Sequence, residues 1–578
     1  MPHVQIPKSF KPPEGSFECN HTQPELTKLT NYGLLIWDRA ELNKMELVDL
    51  NCYYRCILRG IDDFSWFYGK QFHFNPTSTN YPTVDCEFIH AECFNNRTRF
   101  YSNFHAQIIV NKTALNKLKS LVPQPIHQRF HHVVLIVFDS VSRLNFIRMC
   151  PKSLKVLQQL YKSTVFEGFG KTGENSFPNG LAFLTGKFWG NYSKKILYNT
   201  TYDHWDFIWN RFSNLSYLTW FGEDEAWLNL FTYLKAGFRE QPTTHRLRPF
   251  MQACEKDYSV CTTHNSLCLS HRKLHNVQLE YLRQFMDKYD HQHPKFALFW
   301  NVALGHDLPW QVSLVDEDFA TFLTQNYYLF KDAFLFVMGD HGQRFASLRS
   351  TVIGAFEDAM PLFAMSVPDK LRQEHLELAQ VLTRNAKLLT SFHDLYVTFH
   401  DIIESQRRDA WHGFSSQKQW SYTGTDFPAS QSLLRPLDGR RSCTDIGIEH
   451  AHCFCEKFNN LPLNDSRVDR VSQALIQNIN SRLENYTKCA KLSVNRTISA
   501  QEKTHDKRET AEFFKQEKHT FRVTVEAAPS EALFQAQIVS SRSGFNVIGE
   551  ISRINKYGNQ SSCIAHDIYR KYCYCISD

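Results

Sequence analysis

The chain has 578 residues, of which 42% are hydrophobic and 14% aromatic, enough to bury a large core. Its formal charge is only +6 at pH 7, with no block of consecutive Lys and Arg, which excludes nucleic acid as a default partner. No run of about 20 apolar residues occurs, so no membrane anchor is visible in this chain.

The first stretch, MPHVQIPKSFKPPEG, lacks the apolar segment of a signal peptide. Yet the 16 cysteines come with Asn-x-Ser/Thr sequons at Asn20, Asn96, Asn111, Asn191, Asn199, Asn214, Asn464, Asn485, Asn495 and Asn559. Together these point to the extracellular space or the secretory-pathway lumen, with disulfides and surface glycans. A signal or anchor is therefore expected to be missing from this form of the chain.

Residues 1–125 read as a strand- and loop-rich region containing Cys19, Cys52, Cys56, Cys86 and Cys93, closed by Pro123 and Pro125. From 126 to 405 the pattern becomes α/β. Apolar, β-branched runs at 132–139, 217–224, 296–303, 333–340 and 361–368 predict buried strands. Helical stretches at 151–161, 276–289 and 371–384 lie between several of them. Strands alternating with helices predict a mostly parallel central sheet flanked by helices.

Residues 406–578 form a smaller cysteine-rich region. Cys443-x9-Cys453-x-Cys455 and Cys563-x9-Cys573-x-Cys575 share one spacing, which reads as a small internal repeat or a coincidence. The ten sequons favour disulfides over zinc for these six cysteines, with connectivity open. The Lys- and Glu-rich stretch 501–519 reads as a solvated helix or linker.

Ligands of open α/β sheets bind beyond the carboxyl ends of the strands. Here those ends carry Asp139-Ser140, Glu223-Asp224, Gly305-His306-Asp307 and Asp340-His341-Gly342. Carboxylates crowded together repel, and a bound cation relieves the repulsion. Oxygen and imidazole donors suit zinc or manganese. Each piece alone has a plain alternative: Asp139 as a helix N-cap, Asp-His-Gly as a turn, His306 as a structural histidine.

The segment GENSFPNGLAFLTG (173–186) adds a hydroxyl, Ser176, at the start of a helix whose free N–H groups suit a phosphate or sulfate oxyanion. A metal touching Ser176 Oγ would make it a nucleophile at neutral pH. The plain alternative is a capping serine. Arg143, Arg344 and Arg349 are candidates to hold an anionic substrate, with an Arg143–Asp139 ion pair the other reading. In FHDLYVTFHD (392–401), His393 and His400 read as packing residues of a buried helix.

Asp139, the Ser176–Asn179 segment ending in Leu184-Thr185-Gly186, and Asp340-His341-Gly342 occur in the order of the alkaline phosphatase superfamily. That group includes sulfatases, nucleotide pyrophosphatases and phosphoethanolamine transferases. The chain is most similar to its animal "domain of unknown function two-two-nine" family, through FDSVSRLNFIRMCPKSL (138–154), FGEDEAW (221–227), RPF (248–250), GHD (305–307), GDHGQRF (339–345) and FEDAMPL (356–362). The resemblance covers about residues 80–578.

It implies Asp139, Ser176, Asp340 and His341 as metal ligands, with His306 and Asp307 as further candidates. It implies Ser176 as nucleophile, His306 as a catalytic group or second-metal ligand, and Asn179 in contact with substrate. Val302 stands where alkaline phosphatases carry an Asp ligand four residues before the second-site His. A second metal therefore has no assigned ligand set, Asp307, Glu223, Asp224 and His393 being candidates. Gly180 stands where formylglycine sulfatases carry Arg. The implied activity is hydrolysis or transfer at a phosphate ester or phosphodiester. The alternatives are an atypical sulfatase and a non-catalytic extracellular binding protein that keeps the fold.

Overall fold

The structure is a computed structural model. It describes residues 17–19, 23–44, 50–119, 130–261, 266–289, 293–345, 347–418, 420–504, 519–541 and 544–576. Pro123, Pro125, Asn20 and residues 505–518 of the Lys- and Glu-rich stretch lie outside the described residues.

Four antiparallel strands open the fold: β1 (Leu50–Arg59), β2 (Trp66–His73), β3 (Phe88–Asn95) and β4 (Thr98–Ala106), in the spatial order β2-β1-β3-β4. The central sheet follows. It contains β5 (His132–Phe138), β6 (Thr164–Val165), β7 (Leu218–Glu223), β8 (His245–Arg246), β9 (Lys295–Asn301), β10 (Ala333–Gly339) and β11 (Phe363–Ser366), ordered β8-β7-β9-β5-β10-β11-β6. The pairs from β8 through β10 are parallel, whereas β11 is antiparallel to both neighbours, so the run at 361–368 supplies an edge region of opposite sense.

Both faces of this sheet are covered, which is why its strands are apolar at every position rather than at every second one. Val134, Ile136 and Phe138 of β5 point into one core with Trp220, Phe299 and Val337. The alternate residues Val133, Leu135 and Val137 point into the other with Phe221, Leu298 and Phe336. The first core also takes Ile57, Phe88 and Phe104 from the N-terminal sheet, which is thus packed onto the α/β layer.

Helices of the core include α1 (Arg143–Met149), α2 (Pro151–Gln159), α3 (Ser176–Thr185), α4 (Leu274–Lys288) and α5 (Phe392–Asp409). The stretch read as one helix at 371–384 is two, Asp369–Glu374 and Glu377–Asn385, broken at His375-Leu376. In α5 a Ser391–Asp394 capping box fixes the N-terminus. Its His393 lies edge-on to Phe427, and His400 stacks on Tyr422 with centroids 3.8 Å apart, so both are packing residues.

The C-terminal region is an antiparallel sheet of β12 (Phe458–Asn460), β13 (Ser493–Lys503), β14 (His519–Ala528), β15 (Ala532–Ser541) and β16 (Gly544–Arg553) in sequence order. Helix α6 (Ser466–Arg482) lays Val471, Leu475 and Ile479 against Val523, Val525 and Phe534 of that sheet. Residues 501–503 end β13 and His519 begins β14, so the edges of the expected linker are strand.

Six disulfides form: Cys19–Cys268, Cys52–Cys93, Cys56–Cys86, Cys443–Cys453, Cys489–Cys573 and Cys563–Cys575. The two cysteine triplets are not a structural repeat. Cys443 pairs with Cys453 and leaves Cys455 an exposed thiol, whereas Cys573 pairs outside its triplet with Cys489. Among the described residues no helix is long and apolar enough to cross a membrane. Eight of the nine described sequon asparagines are exposed, and Asn111 is half-buried.

Candidate active site

Strand register brings the site together. Phe138 at the end of β5 lies opposite Gly339 of β10 and Asn301 of β9. The next residues, Asp139 and Asp340, therefore leave the sheet side by side. Gly305 passes so close that an added Cβ would stand 1.9 Å from the Asp139 carbonyl oxygen, which only glycine permits.

Ser176 is the first residue of α3; the N-cap is Asn175, not Ser176. The serine is half-buried and its hydroxyl donates to Asp139 Oδ2 at 2.9 Å and lies 3.4 Å from His341 Nε2. Single donor atoms of Asp139, Asp340 and His341 lie within 4.8 Å of one another, all three residues being buried. The four side chains named from the sequence thus meet at one point.

Ser140, which the sequence reading passed over, orders this cluster. It adopts φ 61°, a left-handed conformation unusual for serine. Its N–H donates to Asp340 Oδ1 at 2.8 Å and its hydroxyl to Asp139 Oδ1 at 2.7 Å. The His341 N–H also donates to Asp340 Oδ1, at 2.8 Å. The remaining oxygens, Asp139 Oδ2 and Asp340 Oδ2, are turned inward.

The donor set fits a divalent metal. His341 Nδ1 donates to the Gly342 carbonyl at 2.8 Å, leaving the Nε2 lone pair facing the site. Burial, the largest influence, pushes the His341 pKa down to about 4, so Nε2 carries no proton at neutral pH. Yet Nε2 lies 3.4 Å from Asp340 Oδ2, a buried oxygen that receives no hydrogen bond. Two acceptor atoms so placed suit a cation held between them. Burial, then mutual repulsion, raises the Asp139 pKa, and burial raises that of Asp340.

His306 stands at the margin of this group. Its Nδ1 is 3.1 Å from Asp307 Oδ1. Burial opposes its charge, but the hydrogen bond to Asp307 and the field of Asp139 outweigh that and raise its pKa. Asp307 is turned toward solvent and Lys556, 4.0 Å away, rather than toward the metal-type cluster. Half-buried Arg344 is near enough to disfavour protonation of both His341 and His306.

Several residues proposed from the sequence are engaged elsewhere. Asn179 is fully buried. Its Oδ1 accepts from Thr172 N, Thr172 Oγ1 and Gly173 N at 2.8, 3.0 and 2.9 Å, while Nδ2 donates to the Gly173 and Asn175 carbonyls. All its hydrogen-bonding groups hold the loop before Ser176, so it is not placed to contact substrate. Arg143 makes no ion pair with Asp139: α1 begins only at Arg143, so the two are not on one helical turn, and its Nε is buried without a partner. Arg349 pairs with Asp358 at 2.9 Å. Asp224 accepts from Val302 N and Ala303 N at 2.6 and 3.1 Å, fixing the turn that leads to His306. Glu223 accepts from Leu230 N at 3.0 Å, and His393 lies in the core.

Beneath the serine loop lies an ionic network without a sequence signal. Lys171 Nζ meets Asp358 at 2.6 Å, and Lys571 Nζ joins Glu174 Oε2 to Glu550 Oε1, each at 2.6 Å.

Fold and site define an α/β protein with a serine-centred carboxylate–imidazole cluster at the carboxyl edge of a mostly parallel sheet. Within that class the chain belongs to the family described as "Protein of unknown function (DUF229)", whose model matches residues 13–498. No curated protein matches it. Solved structures similar to it include the C-terminal periplasmic domain of EcEptC from Escherichia coli, at 12% identity, TM-score 0.35, covering 54% of this chain and 88% of that one; that domain is also known in complex with Zn. The lipoteichoic acid synthase LtaP from Listeria monocytogenes is similar at 10% identity, TM-score 0.33, covering 51% and 78%. At these identities and TM-scores the likenesses do not bear on activity.

Proposed function

We propose that this chain is a metal-dependent phosphoric-ester hydrolase or transferase with Ser176 as nucleophile, acting in the extracellular space or secretory-pathway lumen. The observation that carries this reading is the placement of Ser176 Oγ at a helix N-terminus, 2.9 Å from Asp139 Oδ2 and 3.4 Å from the unprotonated His341 Nε2.

Asp139, Asp340, His341 and Ser176 would hold the ion, zinc or manganese by their donor types, which when bound lowers the pKa of a coordinated hydroxyl and screens phosphate charge. The N–H groups opening α3 and the Arg344 guanidinium hold the non-bridging oxygens. Ser176 Oγ, its proton released to solvent when the ion is held, attacks phosphorus. The bond from phosphorus to the leaving oxygen breaks, and His306, its pKa raised beside Asp307 and Asp139, protonates that oxygen. Water or an acceptor hydroxyl then attacks the seryl ester, yielding its proton to His306, while Ser176 Oγ leaves phosphorus and takes a proton back from solvent.

A phosphate rather than a sulfate ester is favoured at Gly180. The arginine of formylglycine sulfatases is absent at this position, and a Cβ there would meet Leu230 Cδ1 at 2.8 Å, so a larger residue would have to displace that side chain. Six disulfides and the exposed sequons support the compartment and its glycans.

The test is Ser176→Ala assayed on bis(p-nitrophenyl) phosphate. Turnover is expected to fall about 1,000-fold or more, with the melting temperature unchanged. Wild-type-like turnover in a folded variant would overturn the assignment.

A further inference from the structure

A second set of donor side chains lies where the C-terminal sheet meets the serine loop. Glu449 and His452 come from the turn around 450–452, and Glu550 from β16. One donor atom of each lies within 4.8 Å of the others. His452 is only 2% exposed, and its Nε2 has no hydrogen-bond partner.

Each carboxylate is oriented from outside the group. Glu449 Oε1 accepts from Trp189 Nε1 at 2.8 Å, and Glu550 Oε1 accepts from Lys571 Nζ at 2.6 Å. Outer donors of this kind hold metal-binding carboxylates in position. Lys571 also reaches Glu174, so the group is one ammonium away from the residue two positions before Ser176. A cavity of about 460 Å³, lined by Trp189, Glu449 and Glu550 among others, opens beside the two carboxylates.

We infer that Glu449, His452 and Glu550 bind a divalent cation of the zinc type, distinct from the Ser176 cluster, that ties the 449–452 turn to β16 of the C-terminal sheet. An imidazole nitrogen with two carboxylates is a zinc donor set. The inference goes beyond the catalytic reading and does not depend on it.

The full chain, stripped with chelator, is titrated with Zn²⁺ alone, and bound zinc per chain is measured. His452→Ala and Glu550→Gln are each expected to bind one equivalent fewer than wild type and to lose part of the zinc-induced rise in melting temperature. Asp340→Asn is expected to lose a different equivalent, so that combined with Glu550→Gln both are lost. If His452→Ala does not fold, the near-isosteric Glu550→Gln carries the test. A zinc count equal to wild type in folded Glu550→Gln overturns the inference, whatever Asp340→Asn does; a loss confined to Asp340→Asn overturns it equally and leaves the catalytic site intact.

Discussion

Asp139 and Asp340, 201 positions apart in the chain, are bound to the same residue: the Ser140 hydroxyl donates to one carboxylate and its N–H to the other. The left-handed φ of 61° at Ser140 is what lets a single residue reach both. Parallel pairing of β5 with β10 sets the carboxylates abreast, and Ser140 then turns one oxygen of each away from the inward-facing position.

Ser140→Ala should therefore impair chemistry more than folding. A hydrogen bond to a charged group is worth about 1.5–3 kcal/mol, so kcat/KM on a generic phosphodiester is expected to drop about 10- to 100-fold. Steady-state kinetics beside a thermal melt would check this. An unchanged kcat/KM would remove Ser140 from the account.

Asn179 makes the opposite case. With five hydrogen bonds to the loop at 172–175, it positions Ser176 from below. Asn179→Ala should cost about 1–3 kcal/mol of stability, since buried loop groups lose their partners, and should lower kcat. A variant with a raised KM, unchanged kcat and unchanged stability would instead mark a substrate contact.

Lys571 links regions 397 residues apart through Glu174. Lys571→Met leaves the Glu174 and Glu550 carboxylates without their ammonium. Removing one partner of a buried ion pair costs about 3–5 kcal/mol, and a urea titration should show a loss of that size. A change below about 1 kcal/mol, the scale of an exposed pair, would show that the network is not buried in solution.

His393 gives a pH signature. Burial pushes its pKa down to about 3 from an ordinary 6.5, so the folded protein refuses a proton that the unfolded chain accepts. Its neutral form costs nothing above pH 6.5, and stability is lost as pH falls from there toward 3. The slope is about 1.4 kcal/mol per pH unit in that window. His393→Leu should flatten the stability–pH curve between pH 6 and 4 by that amount, read from urea unfolding at several pH values. Parallel curves for both proteins would contradict the burial of His393.

The sheet was legible because strands buried on both faces are written as unbroken apolar runs, and the acidic ends of those runs mark the edge where the site forms. Ser176 was legible as a hydroxyl at the start of the helix that LAFLTG continues. What these patterns do not carry is side-chain direction. Asn179 has the residue type of a phosphate contact, yet its partners are backbone groups in its own loop. Arg143 lies four positions after Asp139, yet the helix that would bring them together starts too late. Lys571 and Glu174 have no shared periodicity, and the cysteine triplets share spacing without sharing pairing, because disulfides follow proximity in space. The antiparallel sense of β11 is likewise set by its connection, not by its composition.

The central claim is that Asp139, Asp340, His341 and Ser176 surround one cation. Anomalous diffraction at the zinc edge from crystals of the zinc-loaded full chain tests it directly. The account predicts a peak about 2.0–2.2 Å from His341 Nε2 and from an oxygen of Asp139 and of Asp340. Ordered side chains around that point with no anomalous peak, in crystals that bind zinc elsewhere, would contradict it.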